Sequence, residues 1–135
     1  MGRWQIIRRC PKVICDTGHN EAGIKYVVEQ LRKESYNQLH IVIGMVNDKD
    51  ITKVLSLLPK DAIYYFTQAA IDRALKSEDL KEKAAVYNLI GDSYVSVKES
   101  IVSSLSAAKE SDLIFIGGSN FIVGEALPYF NIIHK

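Results

Sequence analysis

Three observations predict a doubly wound α/β fold built on a mostly parallel sheet. Strand-like and helix-like segments alternate from Lys12 to the end of the chain, the strand candidates are apolar at consecutive rather than alternate positions, and the helix candidates place apolar residues at three- and four-residue spacing. Continuous apolar strands belong to parallel sheets covered on both faces, and alternation with helices is the order that builds them. A length of 135 residues suits one domain, residues 1–135, around one core.

Trp4 to Arg9 and Lys12 to Cys15 read as two extended runs joined through Cys10-Pro11, an antiparallel hairpin ahead of the parallel part. From Glu21 to Lys33 the period changes. Ile24, Val27, Val28 and Leu31 mark one buried helix face, with Asn20 as the N-cap. Leu39 to Ile43 is the next strand, ended by Gly44. Ile51, Val54, Leu55 and Leu58 follow at helical spacing, with Asp50 placed to cap and Pro59 to stop the helix. Ala62 to Phe66 is again strand, on which the adjacent Tyr64 and Tyr65 point to opposite faces for packing. Ser77, Glu78 and Asp79 open a helix carrying Leu80, Ala84 and Tyr87, where early acidic residues suit the helix dipole. Asn88 to Val95 has no clear period. Ser96 and Glu99 form a capping box ahead of Val97, Ile101, Leu105 and Ala108. Leu113 to Ile116 is a continuous apolar strand. It ends in Gly117-Gly118-Ser119-Asn120 before a last helix with Phe121, Val123 and Leu127, expected to halt at Pro128.

Composition excludes several function classes. A hydrophobic share of 47%, a charged share of 24% and a net charge of +1 leave no polybasic surface for nucleic acid or membrane. Apolar runs are too short for a bilayer span and the first residues lack the basic-then-apolar pattern of a signal peptide, so a cytoplasmic location is expected. Cys10 and Cys15 stand alone as a C-x4-C pair, a poor metal site, and are read as reduced thiols. The chain opens Met-Gly-Arg-Trp and goes at once into a strand, as expected of a domain cut from a longer protein.

The polar residues concentrate where strands end. Asp16-Thr17-Gly18-His19-Asn20 joins an apolar strand to a helix, the place where α/β proteins bind ligands. Capping accounts for Asn20. It does not account for Asp16 and His19 beside a glycine that permits close backbone approach, so these two are read as functional. Ser119, after two glycines and before a helix, offers amide groups and a hydroxyl to an anion, with a plain N-cap as the alternative. Arg3 carries a guanidinium suited to phosphate. His40, His134 and Asp48-Lys49-Asp50 are read as incidental. There is no G-x-x-x-x-G-K-[ST] and no G-x-S-x-G, so the chain has neither a P-loop of its own nor a serine nucleophile elbow.

Taken together, Gly2-Arg3-Trp4-Gln5, Asp16-Thr17-Gly18-His19-Asn20, Asp48-Lys49-Asp50 and Gly117-Gly118-Ser119 resemble the C-terminal domain of folylpolyglutamate synthase/dihydrofolate synthase, in the Mur ligase superfamily. The resemblance covers nearly the whole chain and implies a Rossmann-like fold. It implies a reaction in which ATP, assisted by Mg2+, phosphorylates a dihydropteroate or folate carboxylate and the amine of L-glutamate attacks the acyl phosphate. By position, Arg3 and Asp16 would serve ATP, while His19 and Ser119 would hold L-glutamate; no residue is assigned as catalytic or as a metal ligand. The P-loop, the Mg2+ ligands and most of the folate site would lie in an ATPase domain of the same polypeptide, leaving this chain silent alone and the protein a monomer. Gly18 and Glu21 depart from the Ala and Pro common in that family. Two other readings are a stand-alone doubly wound binding or regulatory module, such as a receiver, and a cell-wall Mur-type amino acid ligase domain. A receiver needs acidic strand ends, whereas Gly44 and Gly117-Gly118 stand there.

Overall fold

The computed structural model describes residues 4–47 and 51–133. In chain order the elements are β1 (Gln5–Arg9), β2 (Lys12–Asp16), α1 (Glu21–Lys33), β3 (Leu39–Ile43), α2 (Ile51–Leu57), β4 (Ile63–Phe66), α3 (Ser77–Ala85), β5 (Gly91–Ser93), α4 (Val97–Ala107), β6 (Leu113–Gly117) and α5 (Asn120–Ile133). One six-stranded sheet takes the order β1-β2-β6-β3-β4-β5. The β1/β2 pair is antiparallel and every other pair is parallel, as the continuous apolar strands predict.

Because side chains alternate across a strand, each strand feeds two cores. Ile14, Ile41, Ile43, Tyr64, Phe66 and Phe115 face α1, α2 and α3, where Ile24, Val27, Val54, Leu55 and Leu80 meet them. Val13, Cys15, Val42, Tyr65, Ile114 and Ile116 face α4 and α5, against Val97, Ile101, Ile122, Val123, Ala126 and Phe130. Tyr64 and Tyr65 therefore divide between the two layers as expected.

Local signals account for the helix starts. The Asn20 side chain accepts the Gly23 N–H at 2.8 Å and the Ser96 hydroxyl accepts the Glu99 N–H at 3.2 Å. Before α3, the Ser77 N–H is taken by the Gln68 side chain at 2.9 Å, so a residue distant in sequence serves where no local cap does. The expected Asp50 cap and His134 lie outside the described residues.

Two expectations are corrected, the first at Tyr87, which lies beyond the end of α3 at Ala85. The final helix does not halt at Pro128 but runs through it to Ile133. Its buried face is Ile122, Val123, Ala126 and Phe130, while Phe121 is half exposed at 39%. Burial of Phe130 beyond the proline offsets the amide that Pro128 lacks. In the stretch 88–95, which has no period, β5 forms beside β4 as a three-residue edge strand.

Candidate functional site

β6 lies between β2 and β3, with Gly117 level with both Asp16 and Ile43. β2 and β3 send the chain to α1 and α2 on one face, and β6 sends it to α5 on the other. Neighbouring strands that lead to opposite faces leave a crevice at their carboxyl ends, the switch point at which open α/β sheets bind ligands. Three loops meet there: 17–20 after β2, 44–47 after β3 and 118–119 after β6.

Asp16 builds the first loop. It has no exposed surface, and its two carboxylate oxygens accept the Gly18 N–H at 2.7 Å and the Trp4 N–H at 2.8 Å. Gly18 fits because a β-carbon there would lie 3.0 Å from both the Asp16 carboxylate and the Gly23 backbone. Trp4, with φ +47°, stacks on Phe115 at 6.2 Å and meets Tyr26 edge-on at 6.5 Å. Asp16 thus ties the start of the described chain to the loop that carries His19. Arg3, the other residue expected at the nucleotide, lies outside the described residues, as does Asp48-Lys49-Asp50.

His19 is exposed, with Nδ1 3.4 Å from the Thr17 carbonyl oxygen. If Nδ1 carries the proton and donates it there, Nε2 is left to a ligand. Ser119 is buried, and its hydroxyl oxygen accepts the Ile122 N–H at 3.2 Å, so the capping role is real. A hydroxyl that accepts one bond still has its proton to donate. Gly118 takes φ +102°, and a β-carbon there would lie 2.3 Å from the Gly44 carbonyl oxygen, so a glycine permits the close approach of the second and third loops.

His19 and Ser119 come together, with Val46, Arg73, Asn120 and Phe121, around a hollow of about 90 Å³. It adjoins a second of about 370 Å³ formed by loop 17–20 and the start of α1. A larger groove of about 790 Å³ runs along α4 between Tyr94 and Ala107, away from these loops. Size alone would choose that groove; the convergence of polar groups at a switch point favours the other.

Arg73 also lines the hollow, and sequence reasoning missed it. It sits in a mixed loop seven residues beyond the end of β4, where a surface arginine would look the same. What brings it in is backbone pairing. Val46 bridges Ala74, the Asn47 N–H donates to the Arg73 carbonyl at 2.8 Å, and the Leu75 N–H donates to the Met45 carbonyl at 2.9 Å.

The chemistry outside this hollow is structural. Cys15 is fully buried, and burial followed by the adjacent Asp16 charge pushes its thiol up to about 12, which makes it unreactive at neutral pH. His40 is buried with Nε2 2.9 Å from Asp112 and Nδ1 2.8 Å from the Tyr65 hydroxyl. The Lys109 N–H, then the His40 side chain and the Gln38 N–H, hold the Asp112 carboxyl below its ordinary range against the opposing effect of burial. Among the described residues no three His, Cys, Asp or Glu gather as metal donors.

Fold and site together define a doubly wound α/β domain with polar groups gathered at its switch point. Its residues 2–120 match the family model described as Mur ligase, glutamate ligase domain, and the chain belongs to that family. It is 31% identical over 129 residues to the probable bifunctional folylpolyglutamate synthase/dihydropteroate synthase of Halobacterium salinarum, covering 93% of this chain and 16% of that protein. To the dihydrofolate synthase/folylpolyglutamate synthase of Escherichia coli K12 it is 30% identical, covering 93% of this chain and 29% of the relative. The chain therefore spans less than a third of either relative's length. Among solved structures, E. coli FolC in complex with ADP superposes with a TM-score of 0.89 at 27% identity, over 98% of this chain and 32% of that one. A Mycobacterium tuberculosis folylpolyglutamate synthase complexed with ADP and AMPPCP gives 0.84 at 26%, over 96% and 32%. Family membership sets aside the receiver reading.

Proposed function

We propose that this chain is the C-terminal, amino-acid-binding part of an ATP-dependent ligase that joins L-glutamate to dihydropteroate or folates. The observation that carries this reading is the meeting of His19 and Ser119 in one hollow at the carboxyl ends of β2 and β6, in a chain of the glutamate ligase family. The names of the relatives support the substrate class, and the ADP-bound FolC structure supports nucleotide use.

The reaction requires the γ-phosphoryl group of ATP to move to a carboxylate oxygen. The glutamate amine then displaces inorganic phosphate from the acyl carbon, loses a proton and leaves an amide. This chain's task is to hold the amine donor in line with that carbon, because positioning supplies much of the acceleration in such a transfer. Ser119 donates its remaining hydroxyl proton to the amino acid, and His19 holds it from the opposite loop. Asp16 serves the nucleotide from beneath the surface, fixing the segment that follows Arg3 against the His19 loop, while Arg3 contacts phosphate. An ATPase domain of the same polypeptide supplies the P-loop and the Mg2+ ligands, and no step assigned to this chain uses a metal. No helix among the described residues is long and apolar enough to cross a membrane; the reading places the enzyme in the cytoplasm as a monomer.

The test is ATP-dependent amide formation by the complete ligase carrying this chain, with dihydropteroate and L-glutamate. His19→Ala is expected to raise KM for L-glutamate roughly tenfold or more with a smaller change for ATP, and Arg3→Ala to lower turnover. Unchanged kcat and KM in both variants would reject the assignments.

A further inference from the structure

Trp4 stands where the chain enters the sheet. β1 runs antiparallel to β2 and pairs Gln5 with Cys15, so the residue before Gln5 lies level with Asp16, at the carboxyl ends of the parallel strands where the loops of the site meet. The φ of Trp4, +47°, falls in the left-handed region, a conformation that an aromatic residue keeps only where its surroundings enforce it. Among the described residues the one other non-glycine there is Asn88, a residue type that tolerates it.

Three contacts enforce it. The Trp4 N–H, which belongs to the peptide joining Trp4 to Arg3, donates to the buried Asp16 carboxylate at 2.8 Å. The indole stacks on Phe115 of β6, with the planes 28° apart, and meets Tyr26 of α1 edge-on. Phe115 is fully buried, so the ring is anchored to the core on the α1 side of the sheet. Since φ is the rotation about the N–Cα bond, holding the ring on one side of that bond and the N–H on the other sets the direction in which the chain reaches back to Arg3. A plain turn at this point would take glycine; an indole adds two aromatic contacts that glycine cannot make. Strained backbone held by partners distant in sequence, beside a site, is a means of aiming a neighbouring side chain.

We propose that Trp4 is a positioning residue for the nucleotide, its clamped ring and left-handed backbone aiming the preceding Arg3 at ATP phosphate. This rests on the phosphate contact proposed above for Arg3 and adds to it the device that orients the cation. Trp4 and Asp16 act as one unit, the carboxylate gripping the peptide and the rings of Phe115 and Tyr26 gripping the side chain. Order of this kind, already present before ATP arrives, need not be generated when it binds.

The experiment measures kcat, KM for ATP and KM for L-glutamate in the complete ligase for wild type, Trp4→Gly, Trp4→Phe and Arg3→Ala. Trp4→Gly permits the left-handed turn without the ring and is expected to raise KM for ATP roughly tenfold, with KM for L-glutamate within about twofold of wild type. Trp4→Phe keeps part of the stack on Phe115 and is expected to recover most of the loss. Should Trp4→Gly fail to fold, Trp4→Leu, which keeps apolar bulk without an aromatic face, takes its place with the same selective rise expected. A wild-type KM for ATP in the ring-deleted variant would overturn the proposal. So would a joint rise in KM for ATP and L-glutamate, the mark of a general loss of structure. An Arg3→Ala enzyme with unchanged kcat and KM for ATP would instead overturn the nucleotide role on which it rests.

Discussion

At the scale of single residues, burial distinguishes two polar side chains that the sequence places together. Asp16 and His19 are three positions apart at one strand end, yet the first has no exposed surface and the second is open. The sequence showed that both are unusual at a strand end; it did not show that the carboxylate turns inward to bind the amides of Trp4 and Gly18, because that depends on a contact across the hairpin. Ser119 was legible both as a cap and as an anion donor, and the hydroxyl can do both. Two predictions belong at this scale. Of the two cysteines, native protein should expose only Cys10 to a thiol reagent such as DTNB, and both should react after unfolding; rapid native reaction of Cys15 would contradict its burial. Removing Asp112 leaves His40 and two amide groups without their buried acceptor, so Asp112→Ala should cost about 3 kcal/mol in urea unfolding at neutral pH. Since the folded carboxyl is held below its ordinary range, its contribution is complete above the unfolded value. It fades as pH falls through the lowered one, so the gap between wild type and variant should narrow in acid.

At the scale of elements, what the sequence made plain was local. Asn20 and Ser96 cap the helices they precede, and α1 buries the four residues that its period marks. Ser96→Ala should therefore lower stability by about 1 kcal/mol without altering the fold, measured as a shift in the urea midpoint at constant m-value. What was hidden depends on tertiary packing. The continuation of α5 past Pro128 follows from the burial of Phe130 against the sheet, a gain that no propensity within the helix contains. β5 is three residues long because it pairs only with β4, and a strand fixed by one neighbour leaves little periodicity to read. Arg73 was hidden for the same reason, its place being set by the pairing of two loops far apart in sequence.

At the scale of the whole molecule, alternating segments and continuous apolar strands made the α/β class legible, whereas the insertion of β6 between β2 and β3 was not. That insertion brings the Gly18-His19-Asn20 loop against Gly118-Ser119, and so joins parts of the sequence a hundred residues apart into one hollow. Its walls come from the segments that follow four strands of one sheet, β2, β3, β4 and β6. The most direct measurement of this account is a crystal structure of the complete ligase with L-glutamate and a nonhydrolysable ATP analogue. The amino acid should lie in the hollow lined by His19 and Ser119, within hydrogen-bonding distance of the Ser119 hydroxyl; glutamate found instead in the groove along α4, or held wholly by the other domain, would contradict it.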